Sequence, residues 1–207
     1  MNVVAFNGSP HKQGASYKGI RTVTAELEKE GIPSEILHIG DKNIPGCIAC
    51  QSCYKTGRCK FDDIVNQCAE KLEKADGIIL ASPVYYGGIA GNFKCFLDRL
   101  FYTGPKLQRK AGAVIATVRR TGGIGVFHQL SNYLTLAGVI ITPTAYWNVL
   151  HGNNANEAEQ DAEGLYTLRT MGRNMAWLLK TLDLGSKNIP LPQEEERIRT
   201  NFIRSGS

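Results

Sequence analysis

Short apolar runs alternate with amphipathic segments along most of the chain. Five runs have the length and apolar character of strands in the interior of a parallel sheet, although the second is weaker. They cover residues 2–7, 34–39, 77–81, 113–118 and 139–142. Strands that alternate with helices form parallel sheets with right-handed crossovers. The pattern therefore predicts an α/β fold with a doubly wound, five-stranded parallel sheet in the order 2-1-3-4-5.

Between these strands, apolar residues recur at helical spacing. The predicted helices cover about 16–30, 64–72, 92–101 and 126–137, and a long last helix has an apolar stripe from Ala162 to Leu182. Asp62 or Asp63 can cap the second helix, and Asn154 or Asn156 the last. One core is expected for 207 residues. The predicted organisation is a domain at 1–183, with a cysteine-rich loop insertion at 40–60 after the second strand, and a polar C-terminal tail at 184–207.

The composition places the chain among ordinary globular proteins. The sequence is 43% hydrophobic and 21% charged, and its net charge of +5 comes from 24 basic and 19 acidic residues spread along the chain. This diffuse charge argues against nucleic acid as a partner. No apolar run approaches the roughly 18 to 20 residues of a membrane-spanning helix, and the first residues lack the pattern of a secretion signal. We therefore expect a cytoplasmic protein without a membrane partner.

Three loops follow the predicted first, third and fourth strands, where open α/β sheets bind ligands. The first, Gly8–Ser16, joins a strand to a helix start, so its amides and the hydroxyls of Ser9 and Ser16 can face an anion. It lacks both the dinucleotide G-x-G-x-x-G pattern and the nucleoside-triphosphate P-loop pattern. A monophosphate therefore suits it better than a pyrophosphate. The alternative is an ordinary turn between a strand and a helix.

The second and third loops suit a flat ring. Ser82–Gly88 contains two tyrosines for stacking and two glycines that let backbone amides approach a ligand, although paired tyrosines also serve in packing. Arg119–Gly123 offers donors and a glycine pair, with a solvated basic turn as the alternative. The topology brings all three loops to one edge of the sheet. A phosphate joined to a flat heterocycle, as in FMN, is the ligand that would satisfy them together.

These three loops resemble the corresponding loops of the NADPH-dependent FMN reductase family of flavodoxin-like proteins, and the resemblance covers roughly residues 1–183. It implies a flavodoxin-like fold in which the first loop holds the ribityl phosphate of FMN and the other two hold the isoalloxazine ring. The residues implied are Ser9, His11, Lys12, Gly14, Ala15, Ser16, Pro83, Val84, Tyr85, Tyr86, Gly87, Arg119, Thr121, Gly122 and Gly123. Family members often have Arg at the position of His11. A neutral His would bind the phosphate less firmly, so Lys12 and the backbone amides would contribute more to its binding.

Four of the six cysteines lie within thirteen residues of the insertion. Cys47, Cys50, Cys53 and Cys59 form a C-x2-C-x2-C-x5-C motif. Clustered thiolates bind zinc or a 4Fe-4S cluster, and three successive x2 steps favour the cluster over the paired knuckles of structural zinc. Cys59 would have to fold back through Thr56-Gly57 to join the others. Zinc, and cysteines without any metal, remain open alternatives.

With this motif the chain is most similar to the iron-sulfur flavoprotein branch of the family, which uses this compact spacing for a 4Fe-4S cluster. The resemblance implies an FMN-dependent oxidoreductase that passes electrons between NAD(P)H or ferredoxin, the cluster and a small acceptor such as a quinone or an oxygen species. It also implies a homodimer or homotetramer. No catalytic side chain is expected, because the flavin carries the chemistry.

Three other functions remain possible at this point. The first is a cluster-free NAD(P)H-dependent FMN or quinone reductase whose cysteines are structural. The second is a flavodoxin-like electron carrier, which the basic charge of the chain disfavours. The third is a small metal-binding interaction module. Cys68 and Cys95 are expected in the core, and His38 and His128 are assigned no role.

Overall fold

The computed structural model describes residues 1–193, 195, 196 and 198. In chain order the helices and strands are β1 (Val3–Asn7), α1 (Ala15–Lys29), β2 (Ser34–His38), α2 (Ser52–Thr56), α3 (Ile64–Lys74), β3 (Gly77–Tyr85), β4 (Gly88–Ile89), α4 (Gly91–Tyr102), β5 (Ala111–Val118), α5 (Gly123–Leu136), β6 (Ile140–Ile141), β7 (Val149–His151), α6 (Ala155–Ala158) and α7 (Ala162–Asn188). None of these helices is long and apolar enough to cross a membrane. The predicted polar tail at 184–207 lies partly outside the described residues, and its residues 184–188 belong to α7.

The sheet confirms the predicted flavodoxin-like α/β class. Its main path is β2-β1-β3-β5-β6 with parallel pairing, and it differs from the prediction in detail. The place of the predicted fifth strand is divided, because β6 pairs with the start of β5 and β7 pairs with its end. Pro143, which has no amide hydrogen for a ladder bond, follows β6. The other addition is β4, which forms an antiparallel hairpin with β3.

Both faces of the sheet are covered by helices, which explains why its central strands are apolar without alternation. Phe6 of β1 and Leu80 of β3 face a core that includes residues of α3, α4 and α5. Ala5 and Ile79, their neighbours in sequence, face the opposite core, which includes residues of α1 and α7. Successive side chains of a strand point to opposite faces, so the two cores share the same strands.

Two short helices also differ from the sequence prediction. The insertion at 40–60, predicted as a loop, contains the short helix α2, which has no buried residue and therefore no apolar period to reveal it. Asn154 caps the four-residue helix α6 and not the long helix, which begins separately at Ala162 with Asp161 as its cap. Both differences involve helices of four or five residues, too short for periodicity to detect.

Candidate functional site

A cleft of about 180 Å³ opens at the edge of the sheet where β1, β3 and β5 end. Nine of the residues predicted to bind FMN line it, and they come from all three loops. They are Ser9, His11, Gly14, Ala15, Ser16, Pro83, Val84, Tyr85 and Arg119. The parallel sheet therefore brings three segments to one place, although more than a hundred residues separate the first segment from the last.

Side chains that sequence analysis did not single out hold the first loop in shape. The buried Asn7 accepts a hydrogen bond from the amide of Ser9 at 3.1 Å and donates to the carbonyl oxygen of Lys12 at 3.2 Å. Nε2 of His38 lies 2.8 Å from the carbonyl oxygen of Ser9. Within the loop, the amide of His11 donates to Oγ of Ser9 at 3.2 Å. His38, to which the sequence assigned no role, thus supports the loop from β2.

Gly40 packs closely against the backbone of the same loop. A Cβ atom placed on Gly40 would lie 2.2 Å from the carbonyl carbon and oxygen of Ser9. Real Cβ atoms do not approach a backbone so closely, so only glycine fits here without moving the loop.

The start of α1 is open towards the cleft. Its N-cap, Gly14, makes no side-chain cap hydrogen bond, and Gly14, Ala15 and Ser16 line the cleft. The hydroxyl of Ser16 is bonded to that of Thr117 at 2.7 Å, and both residues are buried. First-turn amides have no partner within a helix, and the helix dipole favours a negative charge beside them. This end of the cleft therefore suits an anion such as a phosphate.

The second and third loops pack against each other beside the cleft. Tyr86 and Gly87 form the tip of the β3–β4 hairpin with positive φ angles of 49° and 77°. A Cβ atom on Gly122, whose φ is 90°, would lie 2.9 Å from Cγ1 of Val84. The glycine thus allows the third loop to approach the wall of the cleft formed by Val84 and Tyr85.

The remaining predicted residues lie outside the lining of the cleft. They are Lys12, Tyr86, Gly87, Thr121, Gly122 and Gly123. The lining includes four residues that the sequence analysis missed, namely Thr117, Val118, Gly152 and Asn153. Thr117 and Val118 end a strand that the sequence does predict, so their position at its carboxyl end could have identified them as residues of the cleft. Gly152 and Asn153 follow β7, a strand of three residues with too little pattern to detect.

The cysteine insertion forms a second cavity, of about 110 Å³, against the C-terminal half of α4. All four motif cysteines line it, together with Ile48, Ala49, Gln51, Tyr54, Lys60, Phe61, Arg99, Tyr102 and Thr103. The chain turns back after α2 at Gly57, whose φ is 67°, and this turn brings Cys59 to the cavity. The side chain of Asn66 then holds the backbone of Cys59 by accepting from its amide at 2.8 Å and donating to its carbonyl oxygen at 3.1 Å.

The thiols influence one another across this cavity. Burial raises the pKa of Cys53, and the charges of the other three motif cysteines add to the increase. All six cysteines are free. In the described part of the chain, no group of three or more His, Cys, Asp or Glu side chains could hold a metal ion as placed. The four thiols therefore surround a shared space and do not converge on one point.

The two other cysteines do not line this cavity. Cys68 is a residue of α3 that is buried in the core, as expected, and burial raises the pKa of its thiol to about 12. Cys95 is only partly buried and packs against the same core.

The chain is similar in sequence to known proteins. The family model described as NADPH-dependent FMN reductase matches residues 1–154. An iron-sulfur flavoprotein of Methanocaldococcus jannaschii is 31% identical over 191 residues, which cover 88% of this chain and 99% of the relative. An iron-sulfur flavoprotein of Methanosarcina thermophila is 28% identical over 194 residues, which cover 91% of this chain and 98% of the relative.

Solved structures share the fold at lower sequence identity. The structure of RosB with a bound intermediate, 8-demethyl-8-formylriboflavin-5'-phosphate, superposes with a TM-score of 0.72 at 17% identity, covering 99% of this chain and 96% of RosB. An NAD(P)H:quinone oxidoreductase from Methanothermobacter marburgensis superposes with a TM-score of 0.63 at 17% identity, covering 84% of this chain and 96% of that enzyme. At these identities the likeness shows the common architecture alone.

Proposed function

Because the chain belongs to the NADPH-dependent FMN reductase family and is a flavin-dependent oxidoreductase, we propose that it holds FMN in the cleft at the sheet edge and a 4Fe-4S cluster in the cysteine cavity. In this proposal it passes electrons between NAD(P)H or a ferredoxin, these two centres and a small acceptor such as a quinone or an oxygen species. The single observation that carries the proposal is the meeting of the three loops in one cleft, beside a helix start without a side-chain cap.

The residues of the cleft fit FMN. We assign the phosphate to the amides at the start of α1 and to Ser9, since these groups line the cleft and favour an anion. Val84 and Tyr85 supply an apolar wall for the ring, and Arg119 supplies the positive charge beside it. Bound FMN would supply the chemistry, accepting electrons singly or as hydride. The domain that binds it would comprise residues 1–183.

The residues of the second cavity fit an iron-sulfur cluster. Four thiols around a shared space of about 110 Å³ suit a group with several metal atoms better than one zinc ion, which needs its ligands about 2.3 Å away in a tetrahedron. The names of the relatives in Methanocaldococcus jannaschii and Methanosarcina thermophila support this assignment. We assign the four cluster ligands to Cys47, Cys50, Cys53 and Cys59.

The setting of the protein follows from the same assignment. Six free cysteines suit a reducing compartment, so we place the activity in the cytoplasm. We propose electron-transfer partners and a homodimer or homotetramer as the working assembly, as the family resemblance implies.

The protein purified without exposure to air tests the proposal. We expect absorbance near 450 nm from flavin, about one FMN per chain, and about four iron and four acid-labile sulfide per chain. Flavin without iron and sulfide would leave a cluster-free flavin reductase, and one zinc per chain would identify a structural zinc site. Absence of flavin would contradict the proposal altogether. Steady-state NAD(P)H oxidation with an added quinone would then distinguish an enzyme from an electron carrier, since a carrier shows no turnover.

A further inference from the structure

Arg99 is a buried charged residue beside the cysteine cavity. It belongs to α4, and only 1% of its surface is exposed. Its Nε donates to Sγ of Cys59 at 3.2 Å. Its two terminal nitrogens donate to the carboxylate of Asp63 at 2.7 and 2.8 Å, and one of them also donates to the carbonyl oxygen of Pro45 at 3.3 Å. The guanidinium carbon lies 4.7 Å from the centre of the Phe61 ring.

The contacts of Arg99 fix its guanidinium group in one orientation. The two hydrogen bonds to Asp63 are parallel, which is the strong and geometrically specific form of an arginine–carboxylate pair. Asp63 is itself fixed, because its Oδ1 accepts from the amide of Val65 as the N-cap of α3. Nε therefore points at the sulfur of Cys59 and has little freedom to leave it.

Packing alone does not account for this arrangement. Burying a charge is costly, and an apolar side chain of similar volume often serves the core as well or better. The backbone of Cys59 is already held by Asn66. The contact from Arg99 therefore acts on the sulfur atom itself, which is the atom that would bind iron.

We propose that Arg99 is a positioning residue that orients the sulfur of Cys59 and raises the reduction potential of the iron-sulfur cluster. This inference rests on the proposed cluster. Hydrogen bonds to the sulfurs and the net charge nearby set the potentials of such clusters. A donor and a positive charge stabilise the reduced form, which carries one more electron. The carboxylate of Asp63 opposes the charge of Arg99 and keeps the effect in check.

Two variants separate this electrostatic role from a structural one. Arg99→Gln removes the charge near Cys59, so the cluster potential should become more negative. Asp63→Asn keeps an N-cap residue for α3 and leaves the charge of Arg99 uncompensated, so the potential should become more positive. Arg58→Gln is the matched control, because Arg58 belongs to the same insertion but pairs with Glu70 at the surface. The cluster potential of the Arg58→Gln variant should equal that of the unmodified protein.

The measurement is a redox titration of the anaerobically purified protein, followed by electron paramagnetic resonance, with iron and sulfide content and thermal unfolding on the same samples. A more negative potential for Arg99→Gln together with a more positive potential for Asp63→Asn supports the proposal. Any other combination of shifts overturns it. If the Arg99→Gln variant retains no cluster, the Arg99→Lys variant is measured in its place. Lysine keeps the positive charge but cannot form the paired hydrogen bonds of the guanidinium group. A potential for Arg99→Lys more negative than that of the unmodified protein then supports the proposal, and an equal or more positive one overturns it.

Failure of this inference and failure of the proposed function give different results. Unmodified protein without iron and sulfide contradicts the cluster, and the role of Arg99 falls with it. Unmodified protein with a full cluster, whose potential does not respond to Arg99 or Asp63 as described, contradicts the role of Arg99 alone.

Discussion

The cleft at the sheet edge and the cysteine cavity are built in different ways. The cleft lies where three parallel strands end, and its shape depends on backbone turns and on glycines such as Gly40 and Gly122 that allow close approach. The cavity lies beside the sheet, and its shape depends on side chains, chiefly Asn66 and Arg99, that tie the insertion to α3 and α4. The cleft is thus formed by the fold itself, whereas the cavity is formed by an insertion that side chains hold against the fold.

This difference indicates how each site can be damaged. Removal of a side chain from the cleft leaves its backbone groups in place, whereas a small addition to a close-packed glycine displaces them. In the cavity, single side chains serve as ligands and anchors, so truncation of one is severe while the fold around it persists. The variants below test this contrast.

The largest effect is expected from the loss of a thiol. Cys59→Ala should reduce iron and acid-labile sulfide from about four each per chain to near zero, because one iron of the cluster would be left without a thiolate ligand. The flavin content should remain unchanged, since the cleft is built from other elements. Metal and flavin analysis of the anaerobically purified protein gives the result. Cys95→Ala, which alters a cysteine outside the cavity lining, serves as control and should keep its iron. Parallel loss of FMN in Cys59→Ala would contradict the independence of the two sites.

In the cleft, the corresponding disruption is one methyl group on Gly40. Gly40→Ala should weaken FMN binding at least tenfold, or about 1.4 kcal/mol, because the new Cβ displaces the backbone of Ser9. Fluorescence titration of flavin-free protein measures the dissociation constant. Gly91→Ala adds the same methyl group where no atom lies within 4 Å and should bind FMN normally. Equal affinities in the two variants would show that the close approach of Gly40 does not shape the site.

A smaller effect is expected at the buried pair of hydroxyls between α1 and β5. Ser16→Ala should lower the free energy of unfolding by about 1–3 kcal/mol, because the hydroxyl of Thr117 is left buried without a partner. Thr117→Val in the same chain removes that unsatisfied hydroxyl, so the double variant should be less destabilised than the sum of the single ones. Urea unfolding of flavin-free protein provides the four values. Strict additivity would mean that the two hydroxyls do not interact.

The smallest effect concerns the charge beside the flavin. Arg119 lines the cleft and Arg120 does not, so only Arg119→Gln should lower the flavin midpoint potential. An exposed charge contributes about 1 kcal/mol or less, which corresponds to about 20 mV for a two-electron couple. Spectroelectrochemical titration of both variants decides the matter. A decrease with Arg120→Gln, or none with either, would place the relevant charge elsewhere.

The sequence predicts the two sites to different depths. The motif of four cysteines and the three loops are local patterns, so the amino-acid order alone is enough to propose both candidate sites. His38 and Arg99 could not be found in this way, since each contacts its target across the fold. Arg99 and Cys59 are far apart in the chain, and nothing in the pattern of α4 distinguishes this arginine from a surface residue.

Local chemistry explains what the amino-acid order determined by itself: the alternation of strands and helices, the flavodoxin-like class, and the spacing of the thiols. Apolar periodicity and turn residues act over a few neighbouring positions, so they can be recognised in the amino-acid sequence alone. Only the tertiary structure decided that β6 and β7 divide one edge, that Gly152 and Asn153 reach the cleft, and that a buried arginine meets the last cysteine. These contacts arise from how the helices pack on the two faces of the sheet, and such packing depends on residues that are distant in the chain.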